Sequence, residues 1–516
     1  MANDTHLALS LPDKWVFVVN IIEGKTLAGF TLPGLPVTVI GTNKKIAWGL
    51  TNLMADQCDF ISVKNDAIKQ YDIVEDTIRV KNDLPVGFKI FNTKIGPVIN
   101  NRHLLDFLYG KSKVNKAIAL KWTAAENHGE LKAFINLNKA GNWSEFKSAL
   151  KDFGSPAQNF LYADIDGNIG WHAAGAIPKR KNPGQILYGN EFAGWNGFIN
   201  FDKLPSEFNP SKGFIASANN KPDKLNYYIT NFWEPEERFV RAEELLTITP
   251  ESDTKFLMNM QKDITSSYPK EFVEEILNAF SNVKIKDENL KVALDLLKEW
   301  DYTYSKYSQT PSIFEAFFNS LLKNTLADEL GDTVLKKLSF ISNVPLLVMK
   351  QLLRKNSVLW DNVKTAEIKE SRYSIIRKSL VDAIYSLETE YGKDPAMWQW
   401  GRLHKITLKH PFHGVAELID NNFDLGPHQL NGGHTTLYNT GYSFNEPYDA
   451  NLGSAMRMIY DFSTPNQIYI IQPAGISGHP GSEFYNNFTK KWLNGDLIKV
   501  NFNEDSFLYS LTIKPY

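Results

Sequence analysis

Cysteine is almost missing from this chain. Cys58 is the only one among 516 residues, so no internal disulfide and no thiolate zinc cluster can form. Net charge is equally scarce: 56 Lys and Arg stand against 58 Asp and Glu, a formal charge of -2. Such a balance gives no global field to draw nucleic acid or anionic lipid, and no basic run supplies a local one, so neither is an expected partner. Long apolar runs are lacking too. The best, Trp15 to Ile22, is broken by Asn20 and falls far short of the ~20 residues that a bilayer-spanning helix needs. The opening Met-Ala-Asn-Asp-Thr-His has neither a basic n-region nor an apolar h-region, so the sequence as it stands encodes no signal peptide. Internal repeats, low-complexity tracts and Pro/Ser linkers are not found either.

What is present is ordinary globular material with an excess of rings. Apolar residues make up 43% and charged ones 22%, which excludes a disordered, collagen-like or fibrous chain. The length is several times that of a typical domain of roughly 100–150 residues, enough for a large core. Aromatics reach 13%, with 12 Trp, 21 Tyr and 32 Phe. They bring apolar area and the flat walls that ligand pockets use, although most belong to the core.

Periodicity divides the chain into three parts. Val37 and Val39, then Ile46, Trp48 and Leu50, alternate on either side of Asn43-Lys44-Lys45, the pattern of a half-buried hairpin. A second hairpin is expected where Leu161–Ile165 and Ile169–Trp171 flank Asp166-Gly167, a pair suited to a tight type I′ turn. From about Thr254 to Tyr391 the period lengthens: Leu290, Leu294 and Leu297, and later Ile376, Leu380, Ile384 and Leu387, recur every three or four residues, each set on one helix face. After Pro411 strand character returns, as in Ile468-Tyr469-Ile470-Ile471. The expectation is one α+β body: a β-rich first part at 1–250, a helical insertion at 251–400, and a β-rich C-terminal part at 401–516.

Short motifs are weak guides here. Gly475-Ile-Ser477-Gly-His479 approaches the nucleophile elbow G-x-S-x-G, but His479 stands where the last glycine belongs and Pro480 follows, which favours a turn. His410-Pro-Phe-His413 has two imidazoles three apart without the glutamate of H-E-x-x-H, and reads as a loop rather than a zinc site. Asp164, Asp166 and Asn168 imitate the start of a calcium loop whose twelfth position is Gly175 instead of glutamate. Cys58, between Gln57 and Asp59 with no adjacent base, has nothing to lower its pKa and reads as an inert thiol.

Longer segments carry more. Asn3-Asp4-Thr5-His6-Leu7, Leu32-Pro33-Gly34-Leu35-Pro36, Ile46-Ala47-Trp48-Gly49-Leu50-Thr51-Asn52 and Ala55-Asp56-Gln57-Cys58-Asp59 are followed by Gly175-Ala176-Ile177-Pro178-Lys179-Arg180, by Gly213-Phe214-Ile215-Ala216-Ser217-Ala218-Asn219-Asn220, and by Asn431-Gly432-Gly433 and Gly475–Pro480 near the end. In this order they closely resemble the β-chain of the penicillin acylase (penicillin amidase) family, over nearly the whole chain apart from the helical middle. The resemblance implies an N-terminal nucleophile hydrolase: an αββα sandwich, with a helical insertion, that cleaves the acyl group from N-acyl compounds such as β-lactam antibiotics or acyl-homoserine-lactone-like amides. In this family a precursor cuts itself into an αβ heterodimer and exposes a β-chain serine whose own α-amine is the general base. The resemblance places that serine some two dozen residues ahead of Asn3, upstream of Met1, with the α-chain further upstream. The chain is therefore expected to be a β-chain without its first strand, inactive alone and needing the α-chain as partner. By the same resemblance the family's periplasmic or secreted location applies.

Residue by residue, the resemblance gives Asn219 as the side-chain donor to the tetrahedral oxyanion and Asn52 as the backbone N–H donor to the same hole. It gives Arg241, 22 residues after Asn219, as the arginine that orients the asparagine, with Arg238 a competing position. His6 falls near the nucleophile, at a position held by His or Gln. Asp56 and Asp59, with the carbonyl of Cys58 between them, match a structural calcium pair; no cofactor is implied for catalysis. Other readings stay open: an inactive remnant or binding protein, and, on the aromatic content alone, a carbohydrate binder or glycosidase.

Overall fold

The computed structural model describes residues 1–22, 24–63, 72–99, 117–126, 128–185, 194–223, 225–249, 252–365 and 367–502. The first part supplies β1 (Ala2–Ala8), β2 (Val16–Ile22), β3 (Lys25–Thr31), β4 (Ile40–Thr42), β5 (Ile46–Asn52), β6 (Cys58–Val63), β7 (Asp72–Ile78), β8 (Val86–Asn92), β9 (Ala117–Trp122), β10 (Gln158–Asp164), β11 (Ile169–Ala174) and β12 (Ser206–Phe208). The last part adds β13 (Lys405–Leu408), β14 (Leu425–Gln429), β15 (Gly441–Tyr442), β16 (Asp449–Tyr460), β17 (Gln467–Ile471) and β18 (Ile498–Asn501).

Two seven-stranded sheets result. One runs β12-β11-β10-β5-β4-β3-β2; the other runs β14-β13-β16-β17-β18, with β1 and β15 also paired to β16. The opening strand thus lies in the sheet built by the end of the chain, antiparallel to β16, with Asp4 opposite Arg457. Apolar faces from both sheets meet in one buried cluster that holds Ile46, Trp48 and Phe160 from the first and Met456, Met458 and Ile470 from the second. Helices α1 (Glu130–Lys139) and α2 (Trp143–Ala149) cover the first sheet, Phe146 lying 5.0 Å from Tyr162 between ring centroids.

The sheets also touch close to the later site, and a glycine permits it. A Cβ on Gly49 would lie 2.7 Å from the Asn3 Oδ1. Without it, the Asn3 amide brackets Leu50, accepting from its N–H at 2.7 Å and donating to its carbonyl at 3.2 Å. One side chain of β1 therefore stands in for a ladder partner of β5, satisfying backbone groups that burial would otherwise leave costly.

The β10–β11 connection differs from the expected type I′ turn. Only Gly167 has positive φ, at 87°, and Asp164 closes the loop itself by accepting from the N–H groups of Asp166 and Asn168 at 3.0 and 2.9 Å. A carboxylate that captures two backbone donors makes the second positive-φ residue unnecessary.

The middle of the chain is helical: α3 (Glu237–Ile248), α4 (Thr254–Met260), α5 (Tyr268–Phe280), α6 (Glu288–Lys298), α7 (Thr310–Leu338), α8 (Asn343–Leu353) and α9 (Arg372–Tyr391). The rows Leu290/Leu294/Leu297 and Ile376/Leu380/Ile384/Leu387 are all buried in one cluster with Phe272, Phe314 and Phe318. Each fully buried aliphatic side chain contributes about 1.5–3 kcal/mol. Side-chain caps start three of these helices: Asp253 accepts from the Phe256 N–H at 2.6 Å, Asp287 from the Leu290 N–H at 2.8 Å, and Ser371 from the Ser374 N–H at 3.2 Å.

Candidate active site

A cavity of about 1310 Å³ opens between β1, the end of β5 and the start of α3. Trp15, Leu50, Phe134, Phe153, Tyr162 and Phe214 give it apolar wall, and His6, Asn52, Asn219 and Arg238 gather polar atoms at one part of its lining.

Those four form a connected set. Asn219 holds a left-handed backbone, φ 61°, a conformation asparagine tolerates better than other side-chain-bearing residues. Its Nδ2 donates to the Asn52 carbonyl at 2.9 Å, while its Oδ1 accepts from the Arg238 Nη2 at 3.0 Å. Arg238 is buried, and burial lowers its pKa, opposed by the nearby Glu234 and Asp4 carboxylates. Its Nη1 faces the His6 Nδ1 at 3.5 Å. On the other side of Asn52, its carbonyl also meets the Asn159 amide at 3.4 Å, and Thr51 and Ser217 share a hydroxyl bond of 2.6 Å. With its Oδ1 engaged by a guanidinium, Asn219 has a fixed amide orientation: its nitrogen must be the end that faces Asn52 and the cavity.

Arg241 is not part of this set. It grips Asp263 with two bonds, Nε to Oδ1 at 3.1 Å and Nη2 to Oδ2 at 2.7 Å, and reaches Glu244 at 3.2 Å. The sequence expectation for this arginine is corrected to Arg238. A fixed count of 22 residues crosses the loop between Asn220 and Glu236, where length varies freely without disturbing the elements it joins. Helical period would have been the better ruler. Stepping back by four from Leu246 and the buried Ala242 lands on Arg238, on the face of α3 that lines the cavity.

Asp56, Cys58 and Asp59 lie away from the cavity lining. Arg180 runs between the two carboxylates: Nε donates to both Asp59 oxygens at 3.2 and 3.0 Å, Nη2 to the Asp56 Oδ1 at 3.2 Å, and Nη1 to the Asp56 carbonyl at 2.9 Å. Tyr228 and Trp195 donate to the remaining lone pairs at 3.1 and 2.6 Å. Calcium needs about 6–8 oxygens. Two carboxylates whose oxygens are already taken by one shared, buried guanidinium and by two more donors do not fit that requirement, so the pair is a salt-bridge clamp between the β5–β6 connection and the Arg180 loop. Burial and the flanking Asp56 and Asp59 raise the Cys58 thiol above its usual pKa, as an inert thiol requires.

The weaker motifs resolve as turns. The Ser477 hydroxyl accepts from the His479 N–H at 3.1 Å. Imidazole and carboxylates at His413, Asp420 and Asp424 come within 4.8 Å of one another, but they close their own loop. Asp424 accepts from the His410 N–H at 2.8 Å and the His413 Nδ1 at 2.6 Å, and Asp420 accepts from the Gly414 N–H at 2.8 Å. Sequence reading did not single out the residues behind the site, Asp4 and Arg457; their pairing depends on register between strands more than 440 residues apart, which no local pattern encodes.

Comparison with known proteins gives the chain's family. Acyl-homoserine lactone acylase QuiP of Pseudomonas aeruginosa is 27% identical over 555 residues, covering 97% of this chain and 64% of that protein. The chain thus spans 64% of the length of the curated relatives of that name to which it is most fully aligned. Penicillin G acylase of Escherichia coli is 29% identical over 239 residues, covering 43% of this chain and 27% of that protein. The structure of the thermostable penicillin G acylase from Alcaligenes faecalis superposes with a TM-score of 0.73 at 18% identity, covering 100% of this chain and 97% of that one; the fold is therefore the mixed α+β fold of that acylase. The penicillin amidase profile matches residues 1–508, and with the sheet pairing and asparagine cluster in place, the chain belongs to the penicillin amidase family.

Proposed function

We propose that this chain is the β-chain portion of an amide hydrolase that removes an apolar acyl group from a small N-acyl compound, an acyl-homoserine lactone or a related amide. The observation that carries this reading is Asn219. Arg238 fixes its carbonyl, its nitrogen faces the cavity beside Asn52, and the amide keeps a second N–H for an incoming oxygen. The aromatic and aliphatic lining suits an apolar acyl group.

In the proposed reaction a serine hydroxyl at the start of the segment upstream of Met1 attacks the amide carbonyl. Its α-amine, with an ordinary pKa near ~8, takes the hydroxyl proton and passes it to the leaving amine as the tetrahedral intermediate collapses. Asn219 Nδ2 and the Asn52 backbone N–H stabilise the oxyanion. Water then attacks the acyl ester and releases the carboxylic acid and the serine. On this reading Met1–Tyr516 alone is inactive, the α-chain completes the enzyme, and the complete protein is exported.

The test compares purified Met1–Tyr516 with a protein extended upstream by the in-frame sequence, both given acyl-homoserine lactones of several chain lengths and a chromogenic phenylacetyl anilide. Release of free homoserine lactone or aniline by the extended protein alone is expected. Turnover by Met1–Tyr516 itself would refute the upstream nucleophile, and an extended, processed protein inert on every acyl amide would refute the activity.

A further inference from the structure

Behind Asn219 the polar contacts continue across two elements into the second sheet. Arg238 presents its Nη1 to the His6 Nδ1 at 3.5 Å. The opposite edge of the imidazole, Nε2, faces the Asp4 Oδ1 at 3.4 Å. Both of these atoms are buried, and at this separation neither makes a hydrogen bond. The second carboxylate oxygen of Asp4 accepts from the Arg457 Nε at 3.0 Å, and Arg457 also donates to the Ser454 hydroxyl at 2.8 Å. Strand register produces this line: Asp4 lies opposite Arg457 and His6 opposite Ser454, with an irregularity between Thr5 and His6.

Elementary donor and acceptor rules then leave the imidazole one state. A guanidinium has donors only, so the atom facing Arg238 must be a bare lone pair; an ionised carboxylate has acceptors only, so the atom facing Asp4 must carry hydrogen. Both edges demand the neutral Nε2–H form. We propose that Asp4 is a positioning residue which, through His6, holds Arg238 on Asn219: it fixes the His6 tautomer, the tautomer offers Nδ1 to Arg238, and Arg238 aims the Asn219 amide. This rests on the hydrolase reading above for its catalytic consequence, although the tautomer itself does not. Burial alone would raise the Asp4 pKa, but the Arg457 guanidinium and the hydrogen bonds its carboxylate receives lower it, which keeps the acceptor ionised across the neutral range. Long contacts of this kind are usual in resting sites and tighten when the reacting group is bound.

A purely structural Asp4, present only to neutralise Arg457, would leave the His6 tautomer to Arg238 alone and unchanged when Asp4 is replaced. The experiment is a two-bond proton–nitrogen spectrum of Met1–Tyr516 labelled with ¹⁵N-histidine, His6 being assigned by the signal lost in His6→Gln. The wild-type chain should show the Nε2–H pattern for His6. In Asp4→Asn, Arg457 claims the amide oxygen, the NH₂ turns to Nε2, and His6 should switch to Nδ1–H. An Nδ1–H pattern in the wild type, or an unchanged pattern in a folded Asp4→Asn, overturns the proposal, the first of these even where Asp4→Asn does not fold. In the extended, processed enzyme, His6→Leu should lower kcat by about 10–100-fold with little change in KM. His6→Gln, whose amide can donate to Asp4 and accept from Arg238, should lose much less; equal losses overturn the relay. An inert extended wild-type enzyme counts against the hydrolase reading instead, and the spectrum still decides the tautomer.

Discussion

Two carboxylates of the interior, one in the strand-built site and one in the helical layer, meet opposite fates. Asp4 on β1 faces Arg457 and His6, and these partners override burial to hold its pKa at about 2. Glu315 on α7 has no cation among the causes of its shift. Burial raises it to about 7, opposed only by the hydroxyls of Tyr442 and Tyr304. The second of these bonds measures 2.9 Å. A carboxylate beside a guanidinium is kept as a charge; one surrounded by aromatic rings and phenols is kept close to neutral. The sheet region thus uses buried charge to aim side chains, whereas the helical layer derives its stability from apolar contact and tolerates Glu315 where two phenols can donate to it.

Variants on either side test that contrast. The largest effect is expected from Arg457→Met, which leaves Asp4 as an uncompensated buried anion and should cost about 3–5 kcal/mol in urea unfolding. A loss below 1 kcal/mol would mean that the charge pair is not what holds β1 to β16. Next, Asn219→Ala in the extended enzyme should lower kcat by about 10²–10³-fold with KM nearly unchanged, the loss of one preorganised oxyanion donor.

Glu315→Gln should act in the other direction and depend on pH. Because the folded pKa is raised from 4.5 to about 7, the contribution of protonated Glu315 is complete below its unfolded pKa and disappears as pH rises through about 7. Gln cannot ionise, so the variant should match wild type near pH 4.5 and exceed it near pH 8, by at most about 3 kcal/mol at 1.36 kcal/mol per pKa unit. Melting curves at the two pH values check this, and equal wild-type and variant stability at both would show Glu315 ionises without penalty. Asp4 has the reverse sign: its lowered pKa gives stability present above its unfolded value near 3.8 and lost as pH falls through about 2. The smallest effect belongs to Arg241→Ala. Its pair with Asp263 is partly exposed, so a stability loss of about 0–1 kcal/mol is expected, with kcat unchanged in the extended enzyme. A kcat loss matching that of Arg238→Ala would restore Arg241 to the site.

How much was legible follows from range. The helix faces Leu290/Leu294/Leu297 and Ile376/Leu380/Ile384/Leu387 could be read directly, because helical period is a property of neighbours in sequence. Strands β5, β10 and β17 were visible for the same reason, and the segments around Asn52 and Asn219 were long enough to indicate the family. Arg238 was misjudged because its distance from Asn219 was counted along a loop instead of around a helix. The Asp56/Asp59 pair is a calcium pair only by resemblance, and the counterion that occupies it, Arg180, lies more than 120 residues away.

The sequence by itself determined the secondary-structure periods, the family and the asparagines that line the cavity, since each is written in contiguous residues. Only the tertiary structure decided which charge meets which. Arg180 against Asp56 and Asp59, Arg457 against Asp4, and Arg238 against Asn219 are side-chain pairings set by sheet register and loop geometry. A buried ion's partner is fixed by where the fold removes water, and that condition has no local signature in a chain.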